Sequence, residues 1–178
     1  MGLGQTMLTM AFFVLLVVMF MNAYRVMINA DEQVLTATAY KTANDLGQSL
    51  MAEIVTKKYD QLYNPPWSSS SQNLVNSFTA PGSLGPEETI TLPDQSPFNS
   101  ILKYNDVDDY NHYTRLTDST NGLGRFRDSV LVYYVVMTDP PYATTRAWTK
   151  RIEVWVTNDK WLTNKWLKLY SIVCCSTR

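Results

Sequence analysis

The densest set of groups able to do chemistry in this sequence is Asn105-Asp106-Val107-Asp108-Asp109-Tyr110-Asn111. Side-chain oxygens packed this closely suit a hard cation such as Ca²⁺, with Asp106, Asp108, Asp109 and Asn111 as the ligands. The spacing differs from an EF-hand loop, because no glycine stands at the sixth position and no distal bidentate glutamate follows. The other reading is a set of Asx turns, in which the same side chains bond the backbone of their own loop.

Other reactive residues are sparse. The single histidine, His112, lies among polar and tyrosine residues and reads as a surface residue rather than a base. Asp108 and Asp109 are neighbours in a turn, with no sign of a cleft around them. No GxSxG, P-loop, HExxH or paired-cysteine motif is present, so neither an enzyme nor a cofactor is expected. Arg146, Lys150 and Arg151 beside Trp148 could touch phosphates and bases, but strand-edge cations also guard against edge pairing. With 15 Lys+Arg against 16 Asp+Glu the net charge is −1, and nucleic acid is not the expected partner. Cys174 and Cys175 are adjacent in a strand-like run, where neighbouring side chains point to opposite faces. They are free thiols, a strained vicinal pair, or a cross-link to another chain.

The element that organises the chain is the apolar run Met7 to Tyr24. No Asp, Glu, Lys or Arg occurs before Arg25, and Thr6 to Tyr24 is long enough as a helix to cross a ~30 Å hydrocarbon layer. A cleavable secretory signal would carry a basic flank and a small-residue cleavage site, and neither is present. A simple anchor conflicts with the positive-inside rule, since the first cation is Arg25, beyond the run. The expectation is that a basic leader has been removed and that Met1 is the mature terminus.

The helical pattern continues without proline to about Asp60. Ile28, Leu35, Ala39, Leu46, Leu50 and Ile54 form its stripe. Gly47 reads as a close-packing position, with a hinge as the alternative. Pro65-Pro66 stops the helix. The chain then divides into a long helix, 1–60, and a β-rich head, 61–178. In the helix, 1–28 is transmembrane or filament-forming and 29–60 is amphipathic. In the head a long loop region, 61–128, holds one short strand at 88–92, and an antiparallel β-meander spans 129–175. Its strands are Ser129 to Met137, Trp148 to Thr157 and Trp166 to Val173, with Ile152, Val154 and Val156 on one face of the second. The expected fold class is α+β, with the second half of the helix covering the sheet.

An apolar N-terminal helix, its amphipathic continuation, a variable loop and a C-terminal antiparallel sheet together resemble type IV pilins and pseudopilins. In that family a peptidase removes a short basic leader, which matches the missing positive flank. The fifth mature residue is usually a glutamate that neutralises a neighbour's terminal amine. Here Gln5 stands in its place, able to accept the hydrogen bond but not to cancel the charge. The family's proline in the apolar half is also absent.

The resemblance implies a structural subunit of an extracellular filament, reached from an inner-membrane precursor. Met1 and Gln5 would register one copy against the next. The implied partners are copies of the same chain, the inner membrane, a leader peptidase and assembly machinery. The alternative is a membrane-anchored binding or sensor module that does not polymerise, or a minor pseudopilin.

Overall fold

The computed structural model describes residues 2–62, 71–118, 122–136, 143–162 and 166–175. The fold is α+β: a long N-terminal helix whose second half packs on a five-stranded, mostly antiparallel sheet. Helix α1, Leu3–Val55, runs for 53 residues, roughly 80 Å at 1.5 Å per residue. The chain divides into two compact units, Met1–Thr38 and Ala39–Arg178. The second half of α1 therefore belongs with the sheet that it covers.

Within the second unit, Ala39, Ala43, Gly47, Leu50 and Ile54 are the buried residues of α1. Their spacing of three and four keeps them on one helix face. Ala39, Ala43, Leu50 and Ile54 join Val130, Val132, Ile152, Val154 and Val156 in one core. Gly47 is a packing position, since a Cβ there would stand 2.8 Å from Leu169 Cδ1.

The helix stops before Asp60, the end expected from the sequence. Val55 closes it, after the β-branched residues Ile54 and Val55 weaken the last turn. Lys58 then bridges to Asp106, its carbonyl accepting from Val107 N–H at 2.9 Å. Tyr59 and Asp60 thereby enter the interior. Tertiary contacts outweigh helix propensity here. Pro65-Pro66 lies outside the described residues.

Short helices follow at α2, Ser71–Ser77, and α3, Ser100–Lys103. The sheet runs in the order β1, Asp94–Gln95; β2, Thr114–Asp118; β3, Arg125–Val135; β4, Thr149–Asn158; and β5, Leu167–Cys174. β1 pairs with β2 in parallel, and the other pairings are antiparallel. The meander is present with an extra strand, β2, inside the region read as loop.

The strand expected at 88–92 does not form. Ile90 turns into the core instead, and the chain first joins the sheet at Asp94. The Asp94 carboxylate accepts the Ser100 N–H at 3.1 Å and the Tyr113 hydroxyl at 3.0 Å. A buried carboxylate needs such donors, and this anchor fixes where pairing begins.

Candidate functional site

Two parts of the molecule carry the candidate functional residues. The first is the apolar part of α1. Residues 2–35 are all exposed, and the helix is long and apolar enough to span a membrane. Gln5 sits in its first turn, its N–H bonded to the Gly2 carbonyl at 2.9 Å and its side chain exposed. Met1 lies outside the described residues.

The second part is the acidic loop. The structure does bring its carboxylates together, but it turns them inward. Asp106 Oδ1 accepts the N–H groups of Asp108 at 3.0 Å and Asp109 at 3.2 Å, while Oδ2 accepts Gln61 N–H at 2.5 Å. Asp109 Oδ2 accepts the N–H groups of Asn105 and Asp106 at 2.7 and 3.2 Å. Asn111 donates to the Leu84 carbonyl at 2.9 Å and accepts Val132 N–H at 3.1 Å.

These are Asx-type bonds to the loop's own backbone and its neighbours. Among the described residues no group of three or more His, Cys, Asp or Glu is placed to hold a metal ion. The geometry thus gives Asp106 and Asp109 the Asx-turn reading, while Asn111 ties the loop to distant backbone and Asp108 pairs with Lys150.

The partner of the acidic loop is Lys150, fully buried on β4. Its Nζ donates to Asp108 Oδ1 at 2.8 Å, Asp60 Oδ2 at 3.1 Å and the Tyr59 carbonyl at 2.8 Å. It lies 4.5 Å from the Tyr59 ring centre and 5.3 Å from that of Tyr134. Burial, then the neighbouring Asp108, push the Asp106 carboxyl up to about 8. Burial likewise raises the Tyr59 and Tyr134 phenols far above their usual range.

The structure thereby divides the basic patch drawn from the sequence. Lys150 points into the core. Arg146 donates to the Phe78 carbonyl. Trp148 packs edge-on against Phe78 with ring centres 5.8 Å apart. Arg151 lies on the opposite sheet face, 3.0 Å from Glu153 and over the Tyr170 ring. A common surface for phosphates and bases is not assembled from these four residues.

His112 is exposed, with a positive φ of 61°, and its N–H bonds the Val130 carbonyl at 3.1 Å. Cys174 is exposed and Cys175 buried, and neither is in a disulfide.

The inward lysine was detectable by parity. Lys150 shares the period-2 face of Ile152, Val154 and Val156. The same rule finds Asp128, which shares the face of Val130, Val132 and Tyr134 and binds the buried Arg115 at 2.7 Å.

Compared with protein-family models, with curated proteins and with solved structures, the chain matches none.

Proposed function

We propose that this chain is a structural subunit of an extracellular filament of the type IV pilus kind, held together by bundling of the apolar part of α1. Apolar exposure on α1 beyond Arg25 carries this reading. Val26, Met27 and Val34 are 68%, 68% and 63% exposed, and Ile28 and Leu35 are exposed with them. A bilayer of ~30 Å is already spanned by the preceding run. Further apolar surface serves no anchor. At 3.6 residues per turn these five side chains spread over about 200° of the helix circumference, more than one neighbour covers. Copies of the same helix supply apolar cover on several sides.

Burying such a helix contributes about 25 cal/mol per Å² of apolar surface, tens of kcal/mol gross over its length. The assembled form is accordingly slow to dissociate. In this reading the inner membrane holds the subunit before assembly, and a leader peptidase and assembly machinery act on it. Gln5 would accept a hydrogen bond from a neighbour's terminus.

Negative-stain microscopy of purified material tests the proposal. Filaments are the expected result. Monodisperse particles in every detergent would overturn it in favour of a membrane-anchored binding module.

A further inference from the structure

We propose that Lys150 and Asp108 form an intramolecular amide cross-link inside the head, with Asp106 as the acid that assists it. The structure presents the reactants side by side. Lys150 Nζ stands 2.8 Å from Asp108 Oδ1, and both side chains are at most 1% exposed. The hydrogen bond places the amine beside the Asp108 carboxyl, the proximity that an intramolecular condensation draws on. The rings of Tyr59 and Tyr134 flank the amine and exclude water, which favours condensation over hydrolysis.

The choice between the two carboxylates at Lys150 follows from their other partners. Both Asp60 oxygens are occupied, Oδ1 by the Leu62 N–H at 3.1 Å and Oδ2 by the Thr79 N–H at 2.9 Å. Asp108 Oδ2 is buried and receives no donor as a carboxylate. Beside the Asp108 side chain lies the Asp106 carboxyl, itself buried, which burial and then Asp108 push up. A protonated carboxyl against a second carboxyl polarises that group towards nucleophilic attack.

The step balances without an oxidant or co-reactant. Within the hydrogen bond a proton passes from the Lys150 ammonium to the Asp108 carboxylate. The amine lone pair then forms a C–N bond to Asp108 Cγ, while Asp106 hydrogen-bonds the developing oxyanion. Asp106 relays the proton lost by nitrogen to the departing hydroxyl, the C–O bond breaks, and water leaves. One ammonium and one carboxylate become one neutral amide and one water. The product removes the Lys150–Asp108 ion pair and the unsatisfied oxygen together, both costly in the interior, while Asp60 gives up its cation and keeps the N–H groups of Leu62 and Thr79. It also ties β4 to the loop 42 residues earlier in the chain.

Mass spectrometry of the denatured full chain, followed by peptide mapping, tests the cross-link independently of filament formation. The expected result is a branched peptide joining the Lys150 and Asp108 segments, lighter by one water than the two peptides together. Reading the digest keeps changes at the N-terminus out of the measurement. Asp108→Asn should still link, now with loss of ammonia in place of water. Lys150→Met should give two separate peptides of full mass, and Asp106→Asn should leave most of the chain unlinked. Separate full-mass Lys150 and Asp108 peptides from the natural chain would overturn the proposal, as would a branch at Asp60. Linkage in Asp106→Asn equal to that of the natural chain would overturn the role of Asp106.

Discussion

Gly47 on α1 faces Leu169 on β5 so closely that a Cβ added to the glycine would stand 2.8 Å from Leu169 Cδ1, with Val156 Cγ2 at 3.1 Å. The glycine lets the sheet's side chains approach the helix backbone. Leu169 is half-buried at its free tip and able to shift, whereas Val156 is fully buried.

Two opposing effects decide what alanine does at this position. Ala gains about 1 kcal/mol of helix propensity over Gly, and displacing Leu169 cancels much of that gain. Gly47→Ala is expected to melt close to the natural chain. Gly47→Val also presses on Val156 and should cost about 1–3 kcal/mol, the usual range for overpacking. Near-UV circular dichroism melts in detergent measure both. Leu169→Ala should recover stability in the Gly47→Val background, a coupling that a double-mutant cycle isolates.

Arg115 connects α1 to the sheet. Its Nε binds Asp128 Oδ2 at 2.7 Å, one terminal nitrogen approaches Glu53 Oε2 at 3.4 Å, and the other donates to the Leu46 carbonyl at 3.1 Å. Arg115→Met leaves Asp128 buried without its cation. Such a loss costs about 3–5 kcal/mol. Replacing both partners, Arg115→Met with Asp128→Leu, should recover part of the loss in the same melt.

The fold class was legible because long-range pattern carries it. An uninterrupted apolar run reads as a spanning helix, and Ile152, Val154 and Val156 alternate as one sheet face should. β2 was not legible. Thr114–Asp118 is short and mostly polar, and its pairing with β3 comes from register rather than composition. The buried ionic cluster was hidden by the ordinary expectation that lysine and aspartate lie in water. Parity pointed inward for Lys150 and Asp128, but composition alone gave no reason to prefer it. The helix end was misplaced because Tyr59 and Asp60 leave the helix for tertiary contacts that no local propensity encodes.

Glu153 makes part of the stability pH-dependent. It lies 2.8 Å from Lys168 and 3.0 Å from Arg151, and the Tyr133 hydroxyl donates to it at 2.8 Å. Burial works to raise its carboxyl, but the bonds from Lys168 and Tyr133 and the nearby cations outweigh it and hold it below the ordinary 4.5. A carboxylate lowered in the folded state stabilises above its unfolded value, and the contribution fades as pH falls through the lower, folded one. Glu153→Gln should therefore melt below the natural chain at pH 7, and the gap should narrow as pH falls below 4.5. A gap of constant size across that range would remove titration of Glu153 as its source.

Val34 separates assembly from folding. It is exposed on α1, outside the unit that contains the sheet, and lies beyond the stretch that a ~30 Å bilayer covers. In the filament reading Val34 packs against a neighbouring helix, where an unpaired carboxylate is strongly unfavourable. In the anchored reading it stays in water, where aspartate is harmless. Val34→Asp is thus expected to abolish filaments in sedimentation and microscopy while leaving the head's melting temperature unchanged. Leu35→Asp, about 100° further round the same helix and also exposed, should act in the same way, because a bundled helix is contacted from more than one direction. Filaments of normal abundance from both variants would show that this part of the helix is not a subunit interface.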